Sequence, residues 1–264
     1  MKLLASDFDG TLLVDKKINK RDIEGIKALR KEGHKFIIST GRTLLTMEGV
    51  IEKYDLEFDY LVLCNGAVIL DKNKKVIKNN LVDFQAVKKI IEEFADQDKI
   101  MIYFDDGSGM KLIENKSVDM KNLYFSEEID FDLVKKEEIL NLKSGAVILS
   151  ICTSDASVER GEEIKERLIE IFGDELSIFR NQFFVDISSK GSSKGEGLKE
   201  VLKLENKTLK DIYTIGDSFN DISMFEITDN SYTFNRAEEG VKAHANNHVD
   251  YVHEVINHIV KGKW

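Results

Sequence analysis

Residues 1–12 of the chain read MKLLASDFDGTL. The apolar run from Lys2 to Phe8 predicts a first buried strand, and the acids Asp7 and Asp9 fall at its end, followed by Gly10. Two carboxylates so close together repel each other, so a cation between them is favoured. Mg²⁺ suits such a place, because proteins hold it with one or two carboxylates, waters and substrate phosphate. We therefore predict a magnesium site at the end of the first strand.

Beyond this strand, short apolar runs alternate with segments of helical spacing. Helical spacing begins after Asn19, a capping candidate, and again over Leu44–Tyr54. Buried strands are predicted over Lys35–Ser39 and Tyr60–Cys64. Strands that alternate with helices form a parallel sheet with helices on both faces, and ligands gather beyond the carboxyl ends of its strands. The first part of the chain is therefore predicted to be an α/β domain with a site at those strand ends.

The same alternation returns late in the chain, after a stretch of different character. Strands are predicted over Phe183–Ile187 and Ile212–Ile215, each followed by a helical pattern. The intervening stretch holds long helical patterns and separate strand candidates, which indicate an α+β unit. We expect residues 1–82 and 183–264 to form a parallel-sheet core domain of the α/β class, and residues 83–182 to form an inserted α+β domain.

Two further motifs fall after predicted strands. Thr40-Gly41-Arg42 follows the second strand, where a hydroxyl group and exposed backbone amides entering a helix make a natural contact for phosphate. Lys194, in the run SSKGEG, offers a positive charge after the strand Phe183–Ile187. Taken alone, the first motif serves equally well as a helix cap, and a single lysine more often lies in solvent.

The segment GDSFND, residues 216–221, follows the strand predicted over Ile212–Ile215. Asp217 and Asp221 would complete a metal site, and the side chain of Asn220 can bond to a phosphate oxygen. All of these motifs fall at or just after predicted strand ends, in the segments that flank the insertion. This shared position, more than any single motif, indicates one site for a metal ion and a phosphate group.

The order Asp-x-Asp-Gly-Thr, Thr-Gly-Arg, Lys-Gly and Gly-Asp-Ser-x-Asn-Asp resembles the four motifs of the haloacid dehalogenase (HAD) superfamily of phosphohydrolases. The insertion between the second and third motifs, and the run Asn65-Gly66-Ala67, resemble its Cof-type branch, which carries a type IIB cap. The resemblance extends over essentially the whole chain. It implies a Rossmann-like core with an inserted α+β cap domain.

The resemblance also implies roles for individual residues. Asp7 would be the nucleophile that forms an aspartyl-phosphate, and Asp9 the general acid and later the general base. The residues that would hold the transferring phosphoryl group are Thr40, Gly41, Lys194 and Asn220. The residues that would hold Mg²⁺ are Asp7, Asp9 through its backbone carbonyl, Asp217 and Asp221. Relatives that keep a long-lived phospho-aspartate carry Lys in place of Asp9, so an acid there favours turnover by water.

The charge balance restricts the partners of the chain. Lys and Arg number 38 against 48 Asp and Glu, and the net charge of -10 repels nucleic acid and anionic membranes. No apolar run approaches the ~18 residues of a membrane-spanning helix. Cys64 and Cys152 are expected to be buried thiols, and with no export signal in view we expect a cytoplasmic protein. We expect a small phosphorylated metabolite as its ligand, and a monomer or a weak homo-oligomer.

Three hypotheses follow for the function. The leading one is a Mg²⁺-dependent phosphatase that acts on small phosphate monoesters, with sugar phosphates as the expected class. A sugar-phosphate mutase could use the same four motifs and return the phosphoryl group to the sugar. A non-catalytic module that binds Mg²⁺ and phosphate is the third, and the presence of both Asp7 and Asp9 argues against it.

Overall fold

The computed structural model of the chain describes residues 1–119, 131–140 and 145–261. The chain divides into two compact units, Met1–Lys78 with Ser193–Trp264, and Asn79–Ser192. The division therefore falls at 78/79 and 192/193, where the sequence pattern suggests 82/83 and 182/183. The expected fold class, a Rossmann-like α/β core with an inserted α+β domain, is confirmed by the topology below.

Strands and helices are numbered in chain order. The strands are β1 (Leu3–Ser6), β2 (Leu13–Val14), β3 (Lys17–Ile18), β4 (Lys35–Ser39), β5 (Tyr60–Leu63), β6 (Val68–Asp71), β7 (Val76–Asn79), β8 (Ile100–Asp105), β9 (Met110–Ile113), β10 (Asp132–Val134), β11 (Ile148–Thr153), β12 (Leu176–Asn181), β13 (Phe184–Ser189), β14 (Ile212–Ile215), β15 (Ser231–Phe234) and β16 (Asn247–Val249). The helices are α1 (Lys20–Lys31), α2 (Leu44–Tyr54), α3 (Phe84–Phe94), α4 (Lys136–Leu140), α5 (Val158–Phe172), α6 (Lys194–Leu204), α7 (Ile222–Phe225), α8 (Glu239–Lys242) and α9 (Val252–Lys261).

The first unit is built on a sheet with the strand order β16-β15-β14-β1-β4-β5-β6-β7. The strands from β16 to β5 run parallel, and β6 returns antiparallel to β5. The chain leaves β1 towards β4 on one side and later returns to β14 on the other. Such a change of direction opens a crevice at the carboxyl end of β1, the usual ligand position in this kind of sheet.

Both faces of this sheet are buried. On one face, Leu3 and Ala5 are fully buried in a core to which α6 and α7 contribute Leu198 and Met224. Because side chains alternate along a strand, Leu4 faces the other side of the sheet, where it is equally buried. Helix α1 packs against β4 and against α9. Near-continuous apolar strands such as β1 and β4 are expected where helices cover both faces.

Helix α1 begins where the capping candidate Asn19 predicts, and it ends just before a glycine. The side chain of Asn19 accepts a hydrogen bond from the backbone N–H of Arg21 at 2.9 Å, as an N-cap does. The helix is followed by Gly33, whose φ of +80° lies in the left-handed region that favours glycine at helix ends. The capping prediction at Asn19 is confirmed.

The second unit has its own sheet, with the order β10-β9-β8-β11-β13-β12, and α3 and α5 pack on one face of it. The sequence places the strand near Phe183–Ile187 in the core sheet, and this is wrong. Strand β13 pairs antiparallel with β11 and β12, so it belongs to the second sheet. Its Val185 and Ile187 are buried in the core of that unit. A short apolar run predicts a strand but does not name its partners.

Two pieces of the first unit have no clear signal in the sequence. Strands β2 and β3 form a small antiparallel hairpin directly after the acidic loop, and its turn holds Asp15 and Lys16 at φ of 50° and 61°. Glycine or asparagine is usual at such a turn, and neither is present. Strand β16 extends the parallel sheet beyond β15. None of the helices in the described ranges is long and apolar enough to cross a membrane.

Candidate active site

The predicted site residues of the first unit gather at the carboxyl ends of three neighbouring strands. Asp7 follows β1, Thr40 follows β4 and Asp217 follows β14 by two residues. Helix α6 contributes Lys194 as its first residue. Because β4, β1 and β14 are adjacent and parallel, their ends meet at one edge of the sheet.

Lys194 is the centre of a buried ion cluster. Its Nζ donates to Oδ1 of Asp7 and to Oδ1 of Asp221, both at 2.6 Å. All three side chains are buried, and Lys194 is only 1% exposed. Burying a charged group is costly unless it is paired and hydrogen-bonded, so this lysine is fixed between its two partners. The alternative that Lys194 lies in solvent is wrong.

Three carboxylates come together at this point. Ligand oxygens of Asp7, Asp217 and Asp221 all lie within 4.8 Å of one another. Thr11 donates from Oγ1 to Oδ1 of Asp217 at 2.6 Å, which orients that carboxylate. Gly10, at φ +82°, lies so close that a Cβ there would overlap the Asp217 carboxylate. Residues of the first and fourth motifs therefore build one cluster.

The cluster is short of positive charge, because three carboxylates share the single ammonium group of Lys194. Burial raises the pKa of Asp7 well above its ordinary value, Asp221 raises it further, and Lys194 offsets this only in part. Burial and then the charge of Asp221 raise the pKa of Asp217 to about 6. Burial by itself would lower the pKa of Lys194, but Asp221 and Asp7 outweigh burial and raise it. A divalent cation would supply the missing charge, and the all-oxygen set of possible ligands has the chemistry that Mg²⁺ prefers.

Asp221 also holds the loop that carries Asp217. Its Oδ2 accepts hydrogen bonds from the backbone N–H groups of Asp217 and Ser218, at 2.8 and 2.9 Å. Its Oδ1 accepts from Lys194, and the residue has no exposed surface. Both oxygens of Asp221 thus already serve the loop and the lysine. Among the residues that the structure describes, the carboxylate of Asp217 has side-chain hydrogen bonds with Thr11 and Asp7, but none with the backbone N–H groups of the loop, and Asp217 is half-buried where Asp221 is fully buried.

Asp9 has a different partner. Arg42 donates from Nε to Oδ2 of Asp9 at 2.7 Å and from Nη2 to Oδ1 at 2.6 Å, a two-pronged fork. The guanidinium also lies over the ring of Phe8, 5.1 Å from its centre, and donates to the carbonyl oxygen of Thr46. The sequence motif Thr-Gly-Arg predicts Thr40 and Gly41 as site residues, and the structure adds Arg42 through its contact with Asp9.

Thr40 and Asn220 lie on the loops that follow β4 and β14, and each side chain has a hydrogen-bond partner on a loop at the same edge of the sheet. Oγ1 of Thr40 accepts a hydrogen bond from the backbone N–H of Arg42 at 3.2 Å. Nδ2 of Asn220 donates to Oδ1 of Asn65 at 3.2 Å, and both side chains are buried. Gly41, half-buried, follows Thr40 directly. In the sequence, Asn65 is only part of the run that resembles the Cof-type branch. In the structure, it contacts the predicted site residue Asn220 directly.

Comparison with known proteins places this arrangement in a class. A family model described as haloacid dehalogenase-like hydrolase matches residues 4–259, and the chain belongs to this family. Two Bacillus subtilis relatives span nearly the same length. The phosphatase YwpJ is 22% identical over 92% of both chains, and 5-amino-6-(5-phospho-D-ribitylamino)uracil phosphatase YwtE is 26% identical over 92% of this chain and 90% of its own.

A solved structure shows the same fold. The sugar phosphatase BT4131, of HAD subclass IIB, superimposes with a TM-score of 0.81 at 22% identity, over 98% of this chain and 99% of its own. The family match over residues 4–259 confirms the predicted resemblance and the expectation of a phosphatase of the HAD superfamily, and the fold of BT4131 agrees with the type IIB arrangement.

Proposed function

We propose that the chain is a Mg²⁺-dependent phosphatase that hydrolyses small phosphate monoesters, with sugar phosphates as its substrate class, through an aspartyl-phosphate on Asp7. The observation that carries the proposal is the buried ion cluster, in which Lys194 bridges Asp7 and Asp221 beside Asp217. A phosphate dianion can approach a carboxylate nucleophile only where positive charge offsets both, and Lys194 together with a cation held by the neighbouring carboxylates would supply that charge.

In the first half of the reaction, a carboxylate oxygen of Asp7 attacks phosphorus and the bond from phosphorus to the leaving oxygen breaks. Asp9 carries a proton on one oxygen that has left the fork with Arg42, gives this proton to the leaving oxygen, and the alcohol departs. In the second half, Asp9 takes a proton from water, the water oxygen attacks phosphorus, and the bond to Asp7 breaks. Inorganic phosphate leaves, and both carboxyl groups return to their starting states.

We assign three direct ligands to Mg²⁺: the carboxylates of Asp7 and Asp217 and the backbone carbonyl of Asp9. We assign Asp221 to the outer shell of the ion, because its two carboxylate oxygens already accept hydrogen bonds from Lys194 and from the loop amides. When bound, the ion neutralises charge on the phosphoryl oxygens and on Asp7. Lys194 fixes the orientation of Asp7 and offsets part of the same charge.

The phosphoryl group is assigned to Thr40, Gly41, Lys194 and Asn220. Thr40 and Gly41 offer a hydroxyl group and a backbone amide at the end of β4, and Asn220 offers an amide N–H from the neighbouring loop. Phosphoryl transfer depends mainly on positioning and charge stabilisation, so these donors are expected to affect the rate more than any further acid or base.

Two observations support phosphorylated polyols as the substrate class. BT4131 is described as a sugar phosphatase, and YwtE is named for a substrate with a phosphorylated ribityl chain. The net charge of -10 disfavours polyanionic substrates such as nucleic acid, while a single phosphate can be offset locally by Lys194 and a metal ion.

The test is release of inorganic phosphate across a panel of phosphorylated sugars and sugar alcohols, with Mg²⁺ and with a chelator in its place. We expect release that needs the metal and that Asp7→Asn abolishes. Conversion of one sugar phosphate to its isomer without net release would indicate the mutase instead. Metal-dependent phosphate binding with no release from any member of the panel would indicate the non-catalytic module.

A further inference from the structure

The turn that follows β5 has an unusual backbone. Three consecutive residues, Cys64, Asn65 and Gly66, have φ of 51°, 50° and 88°. Glycine adopts this left-handed conformation without cost and asparagine at a small cost, whereas a residue such as Cys64 adopts it only where the surroundings hold it there. Strain of this kind is typically retained at functional sites. The contacts of the turn show what it could be retained for.

The turn touches each of the segments assigned to the phosphoryl group. The backbone N–H groups of Cys64 and Asn65 donate to the carbonyl oxygens of Arg42 and Thr40, both at 3.0 Å, and so fix the loop after β4. A Cβ on Gly66 would overlap the carbonyl oxygen of Ser193, the residue before Lys194. The turn therefore packs directly against two of the phosphate-binding segments through its backbone.

The third segment is held by a side chain. Oδ1 of Asn65 accepts the hydrogen bond from Nδ2 of Asn220, across 155 positions in sequence. Both residues are nearly fully buried. The bond fixes the plane of the Asn220 amide, because turning it over would set Oδ1 of Asn220 against Oδ1 of Asn65, two acceptors. The second hydrogen on Nδ2 of Asn220 then remains to be donated to a ligand.

We propose that Asn65 is a positioning residue for the phosphoryl group, acting through Asn220. The proposal rests on the assignment of Asn220 to the phosphate in the function proposed above. The backbone at this point would be better served by glycine, so the asparagine is explained by what its side chain does. The Asn65 side chain fixes the orientation of the Asn220 amide, so that its second N–H always points in the same direction.

The experiment is a double-mutant cycle read by phosphate binding. The variants are Asn65→Gly, which suits the backbone and removes the side chain, Asn220→Ala, and the two together. The dissociation constant of inorganic phosphate is measured by calorimetry in the presence of Mg²⁺. Because this binding needs no turnover, a failure of the proposed catalytic activity does not prevent the measurement.

We expect Asn65→Gly to weaken phosphate binding about tenfold, the worth of one ordinary hydrogen bond. With Asn220→Ala already present, the same change should weaken binding less than about twofold, because there is no longer an amide to orient. Where activity is found, kcat should fall with the binding. Equal effects of Asn65→Gly in both backgrounds, or none in either, would overturn the proposal.

A matched control separates the side chain from the backbone. Asn206 also has a left-handed φ, of 51°, and lies after α6 away from the loops described here. Asn206→Gly should leave the affinity for phosphate unchanged, whatever it does to the melting temperature. Should Asn65→Gly not fold, Asn65→Ser makes the same prediction, since its hydroxyl group is too short to reach Asn220.

Discussion

Replacing Lys194 by Met tests the ion cluster most directly. The change keeps most of the side-chain volume and removes the ammonium that bridges Asp7 and Asp221 at 2.6 Å. Removing one partner from a buried ion pair costs about 3–5 kcal/mol of stability, because a buried charge is left uncompensated. We expect the lower end, about 3 kcal/mol, because the pKa of Asp7 is already raised and this carboxyl can take up a proton.

The loss should depend on pH and on metal. A carboxyl whose folded-state pKa lies above its unfolded value stabilises the protein at low pH and loses that contribution as pH rises. The deficit of Lys194→Met should therefore be larger at about pH 8 than at about pH 5.5. Mg²⁺ should restore part of the deficit, since the ion supplies positive charge to the same carboxylates.

The measurement is urea unfolding followed by circular dichroism, in EDTA and in Mg²⁺. Lys199→Met is the control, because Lys199 pairs with Glu196 at 2.6 Å with both side chains well exposed. An exposed pair of this kind contributes about 0–1 kcal/mol. If the two variants unfold at the same urea concentration and neither responds to Mg²⁺, the description of the cluster as buried and short of positive charge is wrong.

Other substitutions probe the remaining parts of the site. Asp7→Asn should abolish phosphate release without lowering the melting temperature, because it removes a carboxylate that burial and Asp221 disfavour; residual turnover would place the nucleophile elsewhere. Asp217→Asn should remove most of the rise in melting temperature that Mg²⁺ gives the wild-type protein, and an unchanged rise would exclude Asp217 as a ligand. Gly10→Ala should lower the rate about 100-fold or more, since its Cβ would overlap Asp217, as steady-state kinetics would show. Arg42→Lys should slow the release of alcohols that need a proton more than that of p-nitrophenol.

Part of the site could be predicted, because the order of the strands in a parallel sheet determines which strand ends lie next to one another. Apolar runs end at Asp7 and shortly before Asp217, and a parallel sheet brings such ends together whatever the loops do. The contact between Lys194 and Asp7, 187 residues apart in sequence, does not follow from that geometry, because the strand before Lys194 belongs to the second sheet. The burial of Lys194 does not follow from it either, because a lone lysine in a Ser- and Gly-rich segment resembles a surface residue.

What could not be predicted depends on contacts between distant segments. Strand β13 has an ordinary strand pattern, and only its hydrogen bonds to β11 and β12 reveal that it belongs to the second sheet. The hairpin of β2 and β3 turns through Asp15 and Lys16, so the usual glycine signal is missing. For Asn65, the sequence shows the residue but not Asn220 as its partner.

The prediction for Arg42→Lys rests on the two hydrogen bonds between Arg42 and Asp9. The fork occupies both oxygens of Asp9, and Lys keeps the charge while losing the planar pair of donors that fixes the carboxylate. A sugar alkoxide needs a proton to leave, whereas p-nitrophenolate leaves without one. Rapid-mixing measurements of the first half-reaction should therefore show a fall of about tenfold or more for the sugar phosphate and little change for p-nitrophenyl phosphate. Equal falls for both would mean that Arg42 acts on phosphate binding or on the fold, and a faster reaction of the sugar phosphate would mean that the fork holds Asp9 out of use.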